Sequence, residues 1–349
     1  MVDYSMHLKT DDRSNSSVPR MGDSQTLPLE FVIWAYRLFL DREPEDLAVA
    51  ERPARTLYRS AQLRKAFLAS PEYAAKGRDA SVSGTRAPHT TSPKLPIERI
   101  SDRAALLSFF QHVQRTWTTL GETEPHWSVL SGEQFRQANL AEHIQEFMVF
   151  SRNEINRLFD LLDAKGIAVP RQSTCIEYGC GVGRVTRWLS ERFSRVVACD
   201  ISDSHIQLAR KYVADEGRDN ISFNLIGSIE EIENLPPAEF FYSVLVLQHN
   251  PPPIIEVIVS SLAKALKPGG YGLFQVPTHC DGYSFSVGQY LARLANPAAK
   301  RSIEMHLLPK ERAFKLIHET GCLPVDVFED DWAGPDYESL SFLIHKPEA

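Results

Sequence analysis

The stretch "CIEYGCGVGRVTRWL", Cys175 to Leu189, restricts this chain more than any other. A short apolar run ends at Glu177 and Tyr178, glycines alternate at 179, 181 and 183, and a helical pattern begins. Glycines at such a turn adopt backbone angles closed to other residues and let a ligand approach the main chain. The helix start adds free backbone N–H groups. Seventeen residues after Gly183, a second apolar run ends at Asp200 in "VVACDIS". In a doubly wound sheet, an acid there sits beside the first loop and can bind two ribose hydroxyls.

A dinucleotide site shares these features but requires G-x-G-x-x-G. Counted from Gly179 and Gly181, the third glycine would fall where Arg184 stands; it is at Gly183 instead. Glu177, two residues before the first glycine, suits an ammonium better than a pyrophosphate. The ligand reads as a nucleoside with an amino-acid tail.

After Pro170 strand and helix patterns alternate. Strands are predicted at 174–178, 195–200, 221–226, 240–247 and 271–276, with helices at about 184–193, 203–216 and 252–266. Short apolar strands separated by helices imply an α/β fold, a doubly wound, mostly parallel sheet covered on both faces. The tail adds one helix and two strands. Before the sheet, residues 99–171 read as a helical cap.

Residues 1–26 are polar and read as a disordered tail, and 27–76 as a small helical module. Residues 77–98, rich in Ser, Thr, Pro and Gly, read as a linker because they have almost nothing to bury. A net charge of -7 argues against a dedicated nucleic-acid binder. No segment is apolar enough to span a bilayer. The five cysteines form no CxxC pair and no metal spacing, so no metal is expected and the compartment reads as cytoplasmic.

Four blocks in order, "EYGCGVG", "CDIS", "YSVLVLQH" and "LKPGGYGLFQVP", resemble the class I S-adenosylmethionine-dependent methyltransferases. The resemblance covers about residues 170–349 and implies a Rossmann-like sheet of seven strands, the last antiparallel and inserted. It implies that Gly179, Cys180, Gly181 and Gly183 line the methionine part of S-adenosyl-L-methionine. Glu177 would act near its amino group, Asp200 on the ribose, Ile201 on the adenine, and Ser228 and Ile229 at the adenine edge. Many relatives carry Asp where Ser228 stands, and Asp where Glu239 begins the fourth strand. Residues 27–75, with "YRLFLDREPE" and "FLASPEY", are similar to a small helical domain found beside bacterial glycosyltransferases. That implies a bacterial source and glycan-assembly partners.

"LQHNPPP" ends the fourth strand at the edge where such sheets bind ligands. Enzymes that methylate planar amines place Asn/Asp-Pro-Pro-aromatic there. Pro253 replaces the aromatic, so the stretch reads instead as the polar lip of a cofactor cleft, with Gln248 on the cofactor side. His249 is a general base or orienter for a hydroxyl acceptor, or a rim histidine satisfied by backbone. Cys180 reads as a small loop residue rather than a nucleophile. His126 and Trp127 either fix the cap or touch a ligand. Tyr283, Phe285 and Tyr290 form either a sugar-stacking wall or a small core.

The sequence thus reads as a methyltransferase acting on a hydroxyl of a small molecule or glycan, such as a sugar of a bacterial surface polysaccharide. Two rivals stand: an N-methyltransferase of a small metabolite or protein, and a non-catalytic methyltransferase-like binding protein. The intact glycine turn and Asp200 oppose the second.

Overall fold

The computed structural model describes residues 96–214, 217–296 and 302–348, with a few isolated positions between 32 and 51. The chain divides into two compact units, Met1–Thr91 and Ser92–Ala349. The small helical module and most of the linker expected from sequence lie outside the described residues. Pro96–Glu98 belong to the second unit: the Phe285 N–H donates to Pro96 O (3.1 Å), and the Glu98 N–H donates to Phe285 O (2.9 Å).

The second unit opens with the cap: α1 (Arg103–Thr123), α2 (Pro125–Val129) and α3 (Leu140–Ala164). Asp102 caps α1 by accepting from the Ala105 N–H. The sheet region follows as β1 (Thr174–Tyr178), α4 (Thr186–Leu189), β2 (Arg195–Asp200), α5 (Asp203–Ala214), β3 (Ile221–Leu225), α6 (Ile229–Glu233), β4 (Ala238–Ser243) and α7 (Pro252–Ala265). It ends with β5 (Leu266–Cys280), α8 (Val287–Leu294), α9 (Lys310–Glu319), β6 (Leu323–Asp330) and β7 (Tyr337–His345).

The strand order is β3-β2-β1-β4-β5-β7-β6. The first five strands pair in parallel, and β7 enters antiparallel between β5 and β6. The order reverses between β1 and β2 on one side and β4 on the other. That leaves a crevice at the carboxyl ends of β1 and β4, where open α/β sheets bind ligands.

Alternate residues of each central strand face opposite layers. Ile176, Tyr178, Val197 and Phe241 join Phe109 and Phe110 of α1, Ile254, Ile258 and Leu262 of α7, and Leu316 and Ile317 of α9. Cys175, Val196, Ala198 and Phe240 join Ile155, Leu158 and Leu162 of α3 and Leu189 of α4. Burial on both faces explains why these strands read as continuous apolar runs. Two prolines open α7, where the missing N–H groups have no helical acceptor to lose.

The fourth strand stops short of the predicted Leu247. It ends at Ser243, and the chain turns at Leu245 with φ 63° before one 3₁₀ turn, Leu247–His249. Left-handed backbone costs a leucine about 1–2 kcal/mol, since its Cβ crowds the following carbonyl. That turn carries "LQHN" over the crevice instead of along the sheet.

Candidate active site

The crevice is a cleft of about 830 Å³ counted out to its open mouth. Its floor is the β1 turn, one side is Asp200 and Ile201 after β2, and the other is Val244–Val246, His249 and Asn250 after β4. The cap forms the roof through Val113 and Trp117 of α1 and Ser128 and Val129 of α2, and sends Glu154 of α3 to the floor.

The turn after β1 is built around backbone contacts. The N–H groups of Gly179 and Cys180 both donate to Cys199 O at the end of β2 (2.8 and 3.0 Å). Gly179 has φ 83°, and a Cβ there would lie 2.3 Å from Val246 Cγ2. The next N–H, from Gly181, donates to Asp200 Oδ2 (2.8 Å), while the Ser202 N–H donates to Asp200 Oδ1 (2.9 Å). Each carboxylate oxygen can accept more than one donor and holds one here, so Asp200 is fixed by backbone yet retains acceptor capacity. Gly183 plays a different part: it is outside the lining, and a Cβ on it would press on Ala209 of α5 at 3.0 Å.

Charged groups cluster on the floor. Glu177 is 4% exposed, and its Oε2 has no hydrogen-bond partner. Burial pushes its carboxyl up to about 8. Arg184, also 4% exposed, donates through Nη1 to Glu154 Oε2 (2.7 Å), and Tyr242 donates its hydroxyl to Glu154 Oε1. The Arg184 Nε is left without a partner. A buried carboxyl and a buried guanidinium that both line one cleft, each with one unpaired polar atom, suit a zwitterion.

His249 sits on the opposite wall. Its Nδ1 lies 3.0 Å from the backbone carbonyl of Glu304. A carbonyl only accepts, so Nδ1 carries the proton and Nε2 keeps its lone pair. Burial pulls this imidazole down to about 4. Trp117 covers the ring, with centroids 5.0 Å apart. Asn250 lines the cleft, but its Nδ2 donates to Val246 O (2.9 Å) at the entrance to α7. His205, buried between Ser202 Oγ (2.7 Å) and Ser128 Oγ (2.9 Å), completes the wall beside Trp117.

Of the residues named from sequence, Glu177, Gly179, Cys180, Gly181, Asp200, Ile201 and His249 meet at this cleft. Burial holds the Cys180 thiol well above its usual range, which leaves it an unreactive loop residue. Ser228, Ile229 and Gln248 stand outside the lining. The Ser228 hydroxyl caps α6 by accepting from the Glu231 N–H, Ile229 is fully buried in the core, and Gln248 Oε1 accepts from Gln275. His126 shares a hydrogen bond with the Tyr212 hydroxyl (2.8 Å), and Trp127 lies under Arg136. Their neighbours Ser128 and Val129 reach the cleft instead. Phe285 and Tyr290 pack with Phe109, and Tyr283 bonds to His306, so these aromatics form a small core rather than a sugar-stacking wall.

Sequence reading did not name Trp117, Glu154, His205 or Tyr242, and treated Arg184 only as a missing glycine. Glu154 had a signal: it interrupts the buried stripe Phe147, Ser151, Ile155, Leu158, Leu162 on α3.

A family model described as a methyltransferase domain matches residues 175–270. A stretch of 97 residues, 27% of this chain, is 34% identical to a ubiquinone biosynthesis O-methyltransferase of Idiomarina loihiensis. Another of 106 residues, 30% of the chain, is 30% identical to an S-adenosyl-L-methionine-dependent Diels-Alderase of Talaromyces variabilis. The matches span 38% and 36% of those relatives' lengths, so this chain covers well under half of either. Among solved structures, magnesium protoporphyrin IX methyltransferase of Synechocystis, with bound S-adenosylhomocysteine, is similar at 17% identity and a TM-score of 0.48, covering 68% of this chain and 99% of that one. An N-methyltransferase of Bradyrhizobium japonicum is similar at 16% and 0.42, covering 69% and 100%. The fold assignment rests on the observed strand order and the family match, not on those two likenesses.

S-adenosylmethionine fits the residues present. Glu177 lines the cleft with one oxygen unpaired and so suits an ammonium, Gly179 leaves no room for a side chain, and Asp200 holds acceptor capacity for ribose hydroxyls. With the glycine turn, the Asp200 carboxylate and β7 inserted antiparallel, the second unit of this chain has the seven-stranded Rossmann-like methyltransferase fold, and its residues 175–270 match the methyltransferase domain model.

Proposed function

We propose that this chain transfers a methyl group to a hydroxyl of an uncharged small-molecule or glycan acceptor. The observation that carries this reading is His249, which donates Nδ1–H to a backbone carbonyl and so keeps a lone pair on Nε2 at the cleft, where the Gln248 amide approaches it at 3.4 Å. Bound there, the cofactor supplies a sulfonium methyl, an electrophile needing no further activation. Glu177 and Arg184 hold its amino-acid end, and Asp200 the ribose. Trp117 and Val246 close the cleft around the reacting groups, where alignment itself provides much of the rate. His249 Nε2 takes the proton from the acceptor hydroxyl as the oxygen–carbon bond forms.

The lining favours an uncharged acceptor. Arg184 is the one Arg or Lys among the lining residues, and Glu154 already holds it. Among the described lining residues, a phosphate or carboxylate on the acceptor would find no further Arg or Lys. A sugar hydroxyl of a bacterial surface polysaccharide is the glycan version of this reading. Its support is the resemblance of residues 27–75 alone, as are glycan-assembly partners.

Incubation of the full chain with methyl-labelled cofactor and bacterial cell fractions tests the proposal. Label that enters a neutral fraction and resists hydrolysis as an ether supports it. Label on amines, with His249→Ala silent and Asn250→Ala inactive, selects the N-methyl reading instead.

A further inference from the structure

We infer that Gln275, a residue of β5 that does not line the cleft, is a positioning residue that holds the Leu245–Gln248 turn in its ligand-binding shape. The inference rests on the cofactor reading of the cleft given above.

Gln275 is fully buried, and its amide bridges the turn. Its Oε1 accepts the Leu245 N–H (3.0 Å), and its Nε2 donates to Gln248 Oε1 (3.1 Å) and to Ser339 Oγ on β7 (2.7 Å). A backbone N–H can only donate, so the Leu245 contact sets which way the Gln275 amide faces. That orientation in turn makes Gln248 present its oxygen to Gln275 and its Nε2 toward His249 Nε2, 3.4 Å away. The two bonds grip the turn at its first and fourth residues.

The turn needs such a grip. Leu245 is the only non-glycine residue with positive φ among the described residues. A leucine drifts out of the left-handed region unless its surroundings hold it. If Leu245 relaxes, the displacement passes to Val246, which packs on Gly179, and on to His249 and Asn250. Four of the five residues after β4 that line the cleft, Leu245, Val246, His249 and Asn250, therefore depend on one amide they do not contain. An apolar residue in place of Gln275 would fill the space but orphan a buried N–H, which is itself costly.

The expected behaviour separates positioning from plain core stability. Gln275→Met keeps the volume and removes the bridge. In the full chain it weakens S-adenosylhomocysteine binding, read by calorimetry, about tenfold. Leu245→Gly makes the left-handed turn free of strain, so in that background Gln275→Met costs less than about threefold. Gln248→Met, which cuts the other leg without touching the sheet, shows the same dependence on Leu245 with a smaller loss, and serves if Gln275→Met does not fold. Equal losses in the two backgrounds, or no loss at all, overturn the inference while leaving the cofactor reading intact. Wild-type protein that fails to bind S-adenosylhomocysteine removes the cofactor reading, and this inference with it.

Discussion

Glu177 carries the sharpest conflict between stability and function in the molecule. Burial raises its carboxyl to about 8 from an ordinary 4.5, so folding takes up a proton between those values. Its stability contribution in the ligand-free protein is full below about pH 4.5 and is lost as pH rises through 8. Glu177→Gln is expected to raise the melting midpoint at pH 8, to change little at pH 4.5, and to weaken S-adenosylhomocysteine at both. Thermal scans at the two pH values, with calorimetry, check all three outcomes. His249 gives a second expectation at this scale. His249→Ala leaves cofactor affinity almost intact and lowers turnover by roughly 10²–10⁴-fold, as removal of a positioned base does. Because burial depresses the imidazole to about 4, the acid limb of the wild-type rate profile falls near pH 4 and not near the ordinary histidine value. Much of this site was legible: glycine spacing, the acid after β2 and the histidine after β4 each follow from local chemistry. Trp117, Glu154 and Tyr242 were not, because they come from separate helices and strands and meet only through tertiary packing. Ser228 and Ile229 were assigned to the adenine edge by resemblance, whereas here the hydroxyl caps α6 and the isoleucine fills the core.

At the scale of elements, the cap helices matter as much as the sheet. α3 lays Ile155, Leu158 and Leu162 on one face of the sheet and reaches the floor of the cleft with Glu154. Removing one partner of a buried ion pair leaves the other charge without compensation. Glu154→Ala is therefore expected to destabilise the protein by about 3–5 kcal/mol, measured by urea unfolding. A double change that also replaces Arg184 by an apolar residue is expected to recover part of the loss. The strands were readable because those buried on both faces are unbroken apolar runs, and β1 and β2 begin and end where the sequence places them. The end of β4 was not readable. "SVLVLQH" looks like continuing strand, yet Leu245 turns left-handed under the hold of Gln275, a residue thirty positions away. No local propensity encodes that contact.

For the whole molecule, the composition of residues 77–95 makes them the expected site of brief proteolysis. Pro96–Glu98 are tied to Phe285, so cutting is expected to stop before them. The fragment beginning near Pro96 is expected to keep cofactor binding, because every lining residue of the cleft follows Phe110 in the chain. Fragment mass and calorimetry check this. Among the described residues no helix is long and apolar enough to cross a membrane. The central claim, a cofactor cleft with Asp200 at the ribose, is tested most directly by S-adenosylhomocysteine calorimetry on wild type and Asp200→Ala. Wild type is expected to bind. The variant is expected to bind about five- to 150-fold more weakly, the cost of about 1–3 kcal/mol for lost hydrogen bonds to a charged group. S-adenosylmethionine is expected to weaken equally, since both ligands share the ribose. Wild type that does not bind, or a variant with unchanged affinity for both ligands, would contradict the account.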